Sequence, residues 1–307
     1  MAASLISITR RLAWLILGFG LVLHLTIKDG VDVLAVVFYV LTLPLLLVIA
    51  AALGWVPGGS ARGRRNARGL ALVLGVWWSV HSWNWHTAPP EQRLPGEVRV
   101  LFWNLSRPAG PLKPLADLVA EFDPDVIGCT EPCDKGRRPV LADWQKLLPG
   151  YSARPAFDEL LWFTRGLPLT EKTSRLAGLG SFADLQVPLN GKPVRIGLVD
   201  VWAEPRVPRT GQIRDAFAHV HTDLSAIVMG DFNTPDDSVH FEAWRDAGFQ
   251  DSFKEAGRGW RETWFHRIPF LSFDHVWAGK DWRVIDCRKA WSLSSDHAAL
   301  MVRLVPR

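Results

Sequence analysis

Cysteine is scarce in this chain, with three residues among 307. That is too few for a disulfide scaffold. Charge is thin as well, at 21% of residues against 48% hydrophobic ones. Intrinsic disorder needs the reverse balance, low hydropathy with high net charge. No internal repeat and no long low-complexity tract is present. The length allows about two domains. A net charge of +4 and a pI near 9.1 invite a nucleic-acid-binding reading, but that charge is unevenly placed. Residues 1–97 hold eight basic groups and four acids, which leaves 27 of each from totals of 35 and 31 for residues 98–307. The excess belongs to the first third, and the remainder is neutral.

What the first third has is apolar length. Leu12 to Ile27, Val33 to Val56 and Leu70 to Trp85 carry no Asp, Glu, Lys or Arg. A helix crosses the hydrocarbon layer with roughly 17–25 apolar residues. Three spans are therefore expected, at about 12–28, 33–56 and 69–86, in an all-α anchor of residues 1–88. Residues 89–97, with Pro89, Pro90 and Pro95, read as a stiff linker. Buried helices of a soluble core would need more polar surface than these short loops supply. A cleaved signal peptide would need a small-x-small site after Ile27, and none follows. Arg10 and Arg11 precede the first span, and Arg62, Arg64, Arg65 and Arg68 lie between the second and third. Basic loops stay cytoplasmic. The expectation is a multi-pass integral membrane protein with a cytoplasmic amino terminus and residues 98–307 on the extracytoplasmic side. The lipid bilayer is then a partner, and no obligate protein partner is implied. Trp77, Trp78, Trp83 and Trp85 suit an interfacial belt, and His24, His81 and His86 read as packed or interfacial residues.

The rest of the chain alternates. Apolar runs such as Val98 to Asn104, Asp125 to Cys129, Leu160 to Thr164, Val194 to Trp202 and Ala226 to Met229 read as strands. So do Ala183 to Val187, Ser272 to Ala278, Trp282 to Cys287 and Ala298 to Leu304. Pro114 to Phe122, Gly211 to Leu224 and Phe241 to Ala247 have helical spacing. This order predicts an α/β domain of two packed sheets covered by helices.

Polar residues stand where the apolar strands stop. Asn104 closes Val-Arg-Val-Leu-Phe-Trp-Asn, and Glu131 follows Val-Ile-Gly-Cys-Thr. Asp231 and Asn233 follow Ile-Val-Met-Gly, Asp274 lies in Ser-Phe-Asp-His-Val, and Asp296 and His297 close Ser-Leu-Ser-Ser-Asp-His. Singly, such residues are turn and cap formers. Asn104-Leu105-Ser106 also matches a glycosylation sequon, a frequent false positive. In order, Trp-Asn, Thr-Glu-Pro, Gly-Asp-Phe-Asn, Phe-Asp-His and Ser-Asp-His resemble the endonuclease/exonuclease/phosphatase superfamily of deoxyribonuclease-like, metal-dependent phosphodiesterases. The resemblance runs from Val98 to Leu304. It implies a four-layer α/β sandwich and a hydrolase of phosphoester bonds.

The resemblance also implies roles. Glu131 would be a carboxylate ligand of Mg²⁺ or Mn²⁺, helped by Asn104 and completed by Asp296. Hard divalent cations take oxygen ligands of this kind. Asp231 would sit beside the attacking water and Asn233 on the scissile phosphate. His297 would act as general base or electrostatic partner, with Asp274 fixing its tautomer. The substrate is open among nucleic acid, a lipid head group and a small phosphodiester, although a neutral domain lacks the general basic surface of a nuclease. One position departs from the pattern. Trp202 follows Gly-Leu-Val-Asp-Val where the superfamily carries His or Tyr. An indole N–H can donate to phosphate but is no acid near neutral pH. A catalytically weak, phosphate-ligand-binding module of the same fold is therefore the alternative, unless nearby Asp200 or Glu204 compensates. Gly257 to Phe265, with Arg258, Trp260, Arg261 and Trp264, is a substrate-facing loop candidate in which Arg258 and Trp260 would grip phosphate and stack; a packed surface loop is the other reading. Cys129 and Cys133 flank Glu131, with Cys287 apart. The set falls short of four-ligand structural zinc and leaves buried small hydrophobes or, outside the cytoplasm, one disulfide.

Overall fold

The computed structural model describes residues 2–133, 141–266 and 268–307. The chain divides into two compact units, Met1–Trp83 and Asn84–Arg307.

The first unit is helical: α1 (Ala2–Leu25), α2 (Asp32–Val40), α3 (Leu43–Trp55) and α4 (Ala61–Ser82). The three-span expectation is corrected here. The run at 33–56 breaks around Leu41 and Thr42, and α2 meets α3 at a 60° bend. Pro44 is the cause. It sits in the first turn of α3, where a missing N–H costs nothing, whereas in a helix continuous from α2 it could not bond the Val40 carbonyl and its ring would clash with it. The expected span at 69–86 overlaps the second half of α4, whose first half carries Arg62, Arg64, Arg65 and Arg68. Among the described residues, one straight helix, Ile6–Leu25, is long and apolar enough to cross a membrane, and the bent α2–α3 pair is a second if taken as one span. Leu17, Leu46, Leu53 and Leu74 pack this unit together. Arg10 donates to the Leu53 carbonyl at 2.6 Å and Arg68 to the Gly54 carbonyl at 2.9 Å. Both satisfy orphan carbonyls at the negative end of α3.

The second unit is built on two six-stranded sheets. One contains β1 (Val98–Asn104), β2 (Val126–Thr130), β3 (Ser152–Pro155) and β4 (Leu160–Thr164). The other holds β5 (Thr170–Leu176), β6 (Gly180–Leu189), β7 (Lys192–Asp200), β8 (Ile227–Asp231), β9 (Gln250–Asp251) and β10 (Asp274–Ala278). β11 (Trp282–Ala290) and β12 (Ala299–Pro306) return to the first sheet, which has the order β11-β12-β1-β2-β4-β3. The second has the order β9-β10-β8-β7-β6-β5.

Strand alternation builds the layers. Val100 and Phe102 of β1 face the second sheet and join Leu185, Leu198, Met229 and Val276 in the central core. Leu101 and Trp103 face the other way, onto α5 (Lys113–Phe122) and α6 (Leu141–Leu147). Val199, Val228 and Trp277 of the second sheet pack under α7 (Thr210–Val220) and the short α8 (Glu242–Asp246). Helix, sheet, sheet and helix make a four-layer α/β sandwich. Cys129 and Cys287 are free thiols buried in different layers, which accounts for them as small hydrophobes.

Each sheet has one parallel pair at its centre, β1 with β2 and β7 with β8. The crossovers run through α5 and α7, as parallel neighbours require. The carboxyl ends of all four strands therefore lie at one end of the sandwich. β10 runs antiparallel to β8 with Asp274 opposite Asp231, and β12 runs antiparallel to β1 with Leu300 opposite Phe102. The starts of these two strands thus join the same end. At the opposite end of β1, Glu97 is buried against Arg303, accepting 2.8 Å bonds from its Nε and Nη2 and a 2.6 Å bond from Arg99 Nε.

Candidate active site

The polar residues at strand ends meet because the strands end together. His297 Nδ1 lies 2.8 Å from Asp274 Oδ2. Its Nε2 faces Asp231 Oδ2 at 3.9 Å and Asp296 Oδ1 at 4.0 Å. Asn104 Nδ2 donates to Asp231 Oδ2 at 2.9 Å, a contact that joins the two sheets. Asn233 stands with φ +46°, a left-handed conformation that Asn tolerates. Its backbone N–H donates to Asp231 Oδ1 at 2.8 Å and its side chain to the Val201 carbonyl at 2.8 Å. Trp103 Nε1 donates to the His297 carbonyl at 2.9 Å, and Ser295 Oγ donates to the Asn104 carbonyl at 2.7 Å. The Ser-Asp-His turn is thereby fastened to β1.

Glu131 stands on the other side of Asn104. Its φ of +51° is strained for a Glu, and the backbone on either side holds it there: its N–H donates to the Glu159 carbonyl at 2.9 Å, and its carbonyl accepts from Arg107 N–H at 2.9 Å. Arg107 Nη1 pairs with Glu131 Oε2 at 2.7 Å. Asp296 accepts from Ser106 Oγ and, at 3.1 Å, from Trp264 Nε1.

Charge in this cluster is in excess. Burial pushes the Asp231 carboxyl up, and the Asp274 charge pushes it further. Burial raises Glu131 as well, and the Glu159 and Asp296 charges add to it against the pull of Arg107. Asp200, at the end of β7, is raised well above the carboxylate range by burial and by Asp231 and Glu131. His297 answers this field. Burial alone would lower its pKa, but the Asp274 carboxylate beside it and the Asp231 charge raise it to about 10.

This donor set fits a divalent cation. The oxygens of Asn104, Glu131 and Asp296 are hard ligands, and positive charge is what the repelling carboxylates lack. Asp231, Asp274 and His297 also each offer a ligand atom within 4.8 Å of the others, all buried. The buried Asp274 Oδ1 has no hydrogen-bond partner among the described residues. Asp231, Asp274, His297 and Asn104 form one cluster, Asp296 borders it, and Glu131 stands at its edge beside a cleft.

A model of the Endonuclease/Exonuclease/phosphatase family matches residues 101–297. The chain belongs to this family. Solved structures agree on the fold. A mannosyl-6-phosphatase from Bacteroides thetaiotaomicron is 18% identical with a TM-score of 0.56, over 68% of this chain and 99% of that one. A truncated TDP2 from Caenorhabditis elegans is 19% identical with a TM-score of 0.53, over 68% and 97%. An endonuclease/exonuclease/phosphatase from Beutenbergia cavernae is 16% identical with a TM-score of 0.55, over 68% and 72%. No curated protein matches the chain. Members of this family are phosphoester hydrolases that use divalent metals, which accords with the oxygen-rich cluster.

Not every residue singled out in the sequence joins this family site. Arg258 pairs with Asp286 of β11 at 3.1 Å, and Trp260 ends a short strand, Arg258–Trp260, outside both large sheets. The same loop reaches the polar cluster further on, at Thr263, whose Oγ1 accepts from Asp274 N–H at 3.2 Å, and at Trp264, which donates to Asp296. Trp202 is 47% exposed. It borders a cleft of about 630 Å³ lined also by Arg107, Glu131, Glu159, Asp200 and Glu204. Sequence reading missed Ser106 and Arg107. They lie two and three residues after Asn104, so the one available signal was their place in the segment that leaves β1.

Proposed function

We propose that this chain is a membrane-anchored hydrolase of phosphoester bonds that works with Mg²⁺ or Mn²⁺. The observation that carries the reading is the bonded series Asp274–His297 with Asp231–Asn104 at the carboxyl ends of two parallel strand pairs. Asn104, Glu131 and Asp296 would hold the cation, which when bound would offset the charge building on phosphoryl and leaving oxygens.

The chain's own residues do the rest. Asp274 fixes His297 with a proton on Nδ1, so Nε2 is turned toward the reacting centre. With its raised pKa, His297 keeps both protons at neutral pH and donates from Nε2 to a phosphoryl oxygen. Asp231, whose carboxyl is raised, accepts the proton of the attacking water. Its Oδ1 is held by the Asn233 N–H and its Oδ2 by Asn104, so the carboxylate does not turn. Asn233 lies two residues on, where its side chain borders the scissile phosphate. Phosphodiesters and phosphomonoesters both suit this geometry.

The anchor is residues 1–88 and the catalytic domain 98–307, with 89–97 as linker. Arg10, Arg64 and Arg68 all bond carbonyls between Leu53 and Gly59. That gathers positive charge at one end of the helical unit and supports a cytoplasmic amino terminus. The catalytic domain would then lie outside the cytoplasm, near lipid head groups. Its neutral charge favours lipid or small phosphoesters over nucleic acid.

The test is turnover by the purified full chain on DNA, RNA, a phosphoinositide, sphingomyelin and mannose 6-phosphate. Hydrolysis of at least one with Mg²⁺ or Mn²⁺, lost in chelator and restored by the metal, is expected. Silence on all of them sinks the hydrolase. Trp202 favours a second reading, a weakly catalytic binding module. Trp202→His decides between them: a large gain in turnover marks an impaired site, and a loss marks Trp202 as part of a working one.

A further inference from the structure

His275 follows Asp274 on β10 and, by strand alternation, faces the opposite side of the sheet. It is 3% exposed, with Phe232 and Phe241 edge-on to its ring at 5.6 and 5.1 Å. Both ring nitrogens are engaged. Nδ1 lies 2.8 Å from Asp251 Oδ2, and Nε2 lies 2.9 Å from the Thr234 carbonyl oxygen. A carbonyl oxygen only accepts, so Nε2 carries a hydrogen. A carboxylate oxygen only accepts, so Nδ1 carries one too. The ring is therefore an imidazolium with Asp251 as its counter-ion. Burial would lower its pKa, and the Asp251 carboxylate and the Thr234 carbonyl raise it instead.

Asp251 cannot swing away. Its Oδ1 caps α9 (Ser252–Ala256), accepting from Phe253 N–H at 2.9 Å and Lys254 N–H at 3.0 Å. At the other end, Thr234 closes the turn that carries Asp231 and Asn233. Phe232 N–H donates to the Phe273 carbonyl at 2.9 Å, and His275 holds the Thr234 carbonyl. Asn233 is thus pinned on both sides by the segment Phe273 to His275.

We propose that His275 is a positioning residue for the hydrolysis: a two-donor imidazolium strut, braced on Asp251, that fixes the Thr234 carbonyl and so aims Asn233 and Asp231 at the phosphate. The catalytic part of this statement rests on the phosphoester reading above. The strut itself does not.

The test uses the full chain in detergent with ¹⁵N-labelled histidine and asparagine. The His275 ring, assigned by its loss in His275→Leu or its shift in Asp251→Asn, is expected to carry a proton on each nitrogen at neutral pH. A single ring proton overturns the strut. Asp251→Asn keeps a good helix cap but removes the counter-charge. It is expected to move the Asn233 side-chain amide signals and to lower kcat on the order of 10- to 100-fold, as small misplacements do, with KM little changed and the melting temperature lowered, since the buried ring loses its counter-charge. His275→Leu should lower kcat at least as far; should it not fold, Asp251→Asn carries the test. Unmoved Asn233 signals, or wild-type kcat in Asp251→Asn, overturn the positioning role. A wild type that hydrolyses nothing, yet keeps both ring protons and shows the Asn233 shift, counts against the phosphoester reading and leaves the strut standing.

Discussion

His297 keeps its proton because Asp274 lies 2.8 Å from Nδ1 and Asp231 faces Nε2. His297→Ala and Asp231→Ala should each lower kcat by about 10²- to 10⁴-fold, the usual worth of a positioned proton donor or acceptor. Circular dichroism should stay near wild type; retained turnover in both would refute the roles given to them. The same groups set a pH dependence of stability. Both have folded-state pKa values raised above their unfolded ones. Each therefore contributes stability that is present at low pH and lost as pH rises through the folded value. For His297 the window runs from 6.5 to about 10. In chelator, the wild-type melting temperature should fall between pH 7 and 10, and His297→Ala should flatten that slope. Equal slopes would remove His297 from the account.

Single elements constrain the site as tightly as its residues do. Gly230 lies on β8 directly before Asp231, where an added Cβ would stand 2.2 Å from the Val199 carbonyl oxygen. That oxygen belongs to the neighbouring strand and has nowhere to go. Gly230→Ala should destabilise by about 1–3 kcal/mol in chemical denaturation, whereas Asp231→Ala should leave the fold near wild type. The Glu97 clamp at the far end of β1 has the opposite pH sign. Burial would raise Glu97, but Arg303, the Leu94 N–H and Arg99 hold its pKa down to about 2. Its stability contribution is present above pH 4.5 and lost as pH falls through about 2. Glu97→Ala leaves Arg303, 1% exposed, as an unpaired buried charge, which costs about 3–5 kcal/mol. Denaturation at pH 7 and pH 3 should show the difference between the two proteins narrowing in acid.

At the scale of the whole molecule, the helical unit and the sandwich make separate statements. If the helical unit is the anchor proposed above, the chain should sediment with membranes, resist alkaline extraction and expose residues 98–307 to protease added outside intact cells. Release by alkali, or protection from that protease, would overturn the anchoring or its orientation.

Much of the sandwich was legible because its strands are apolar runs that stop at a polar residue. An Asp, Glu, Asn or His beside an apolar run is visible in one dimension, and five such motifs in order, three after strands and two before or at the start of strands, carried the resemblance to the family. The first third was misread where length alone stood for helix continuity; Pro44 in the first turn of α3 and the arginines within α4 are where the expected spans depart from the helices. Where Arg258 points was not legible, because a loop's destination depends on what it packs against. Arg258 found Asp286, a partner 28 residues away on another strand. Ser106 and Arg107 showed only their place in a turn, and His275 only its place in the Phe-Asp-His motif, because each bonds a residue distant in sequence. The sequence alone determined which residue types are available, where strands stop and which third of the chain carries the charge, since these follow from local pattern and composition. Only the tertiary structure decided that Asp231 meets Asn104 across two sheets and that His275 meets Thr234, while the Asp274–His297 pair was already implied by the resemblance. Those pairings come from parallel crossovers and antiparallel returns bringing strand ends to one edge, and no local run of residues encodes that edge.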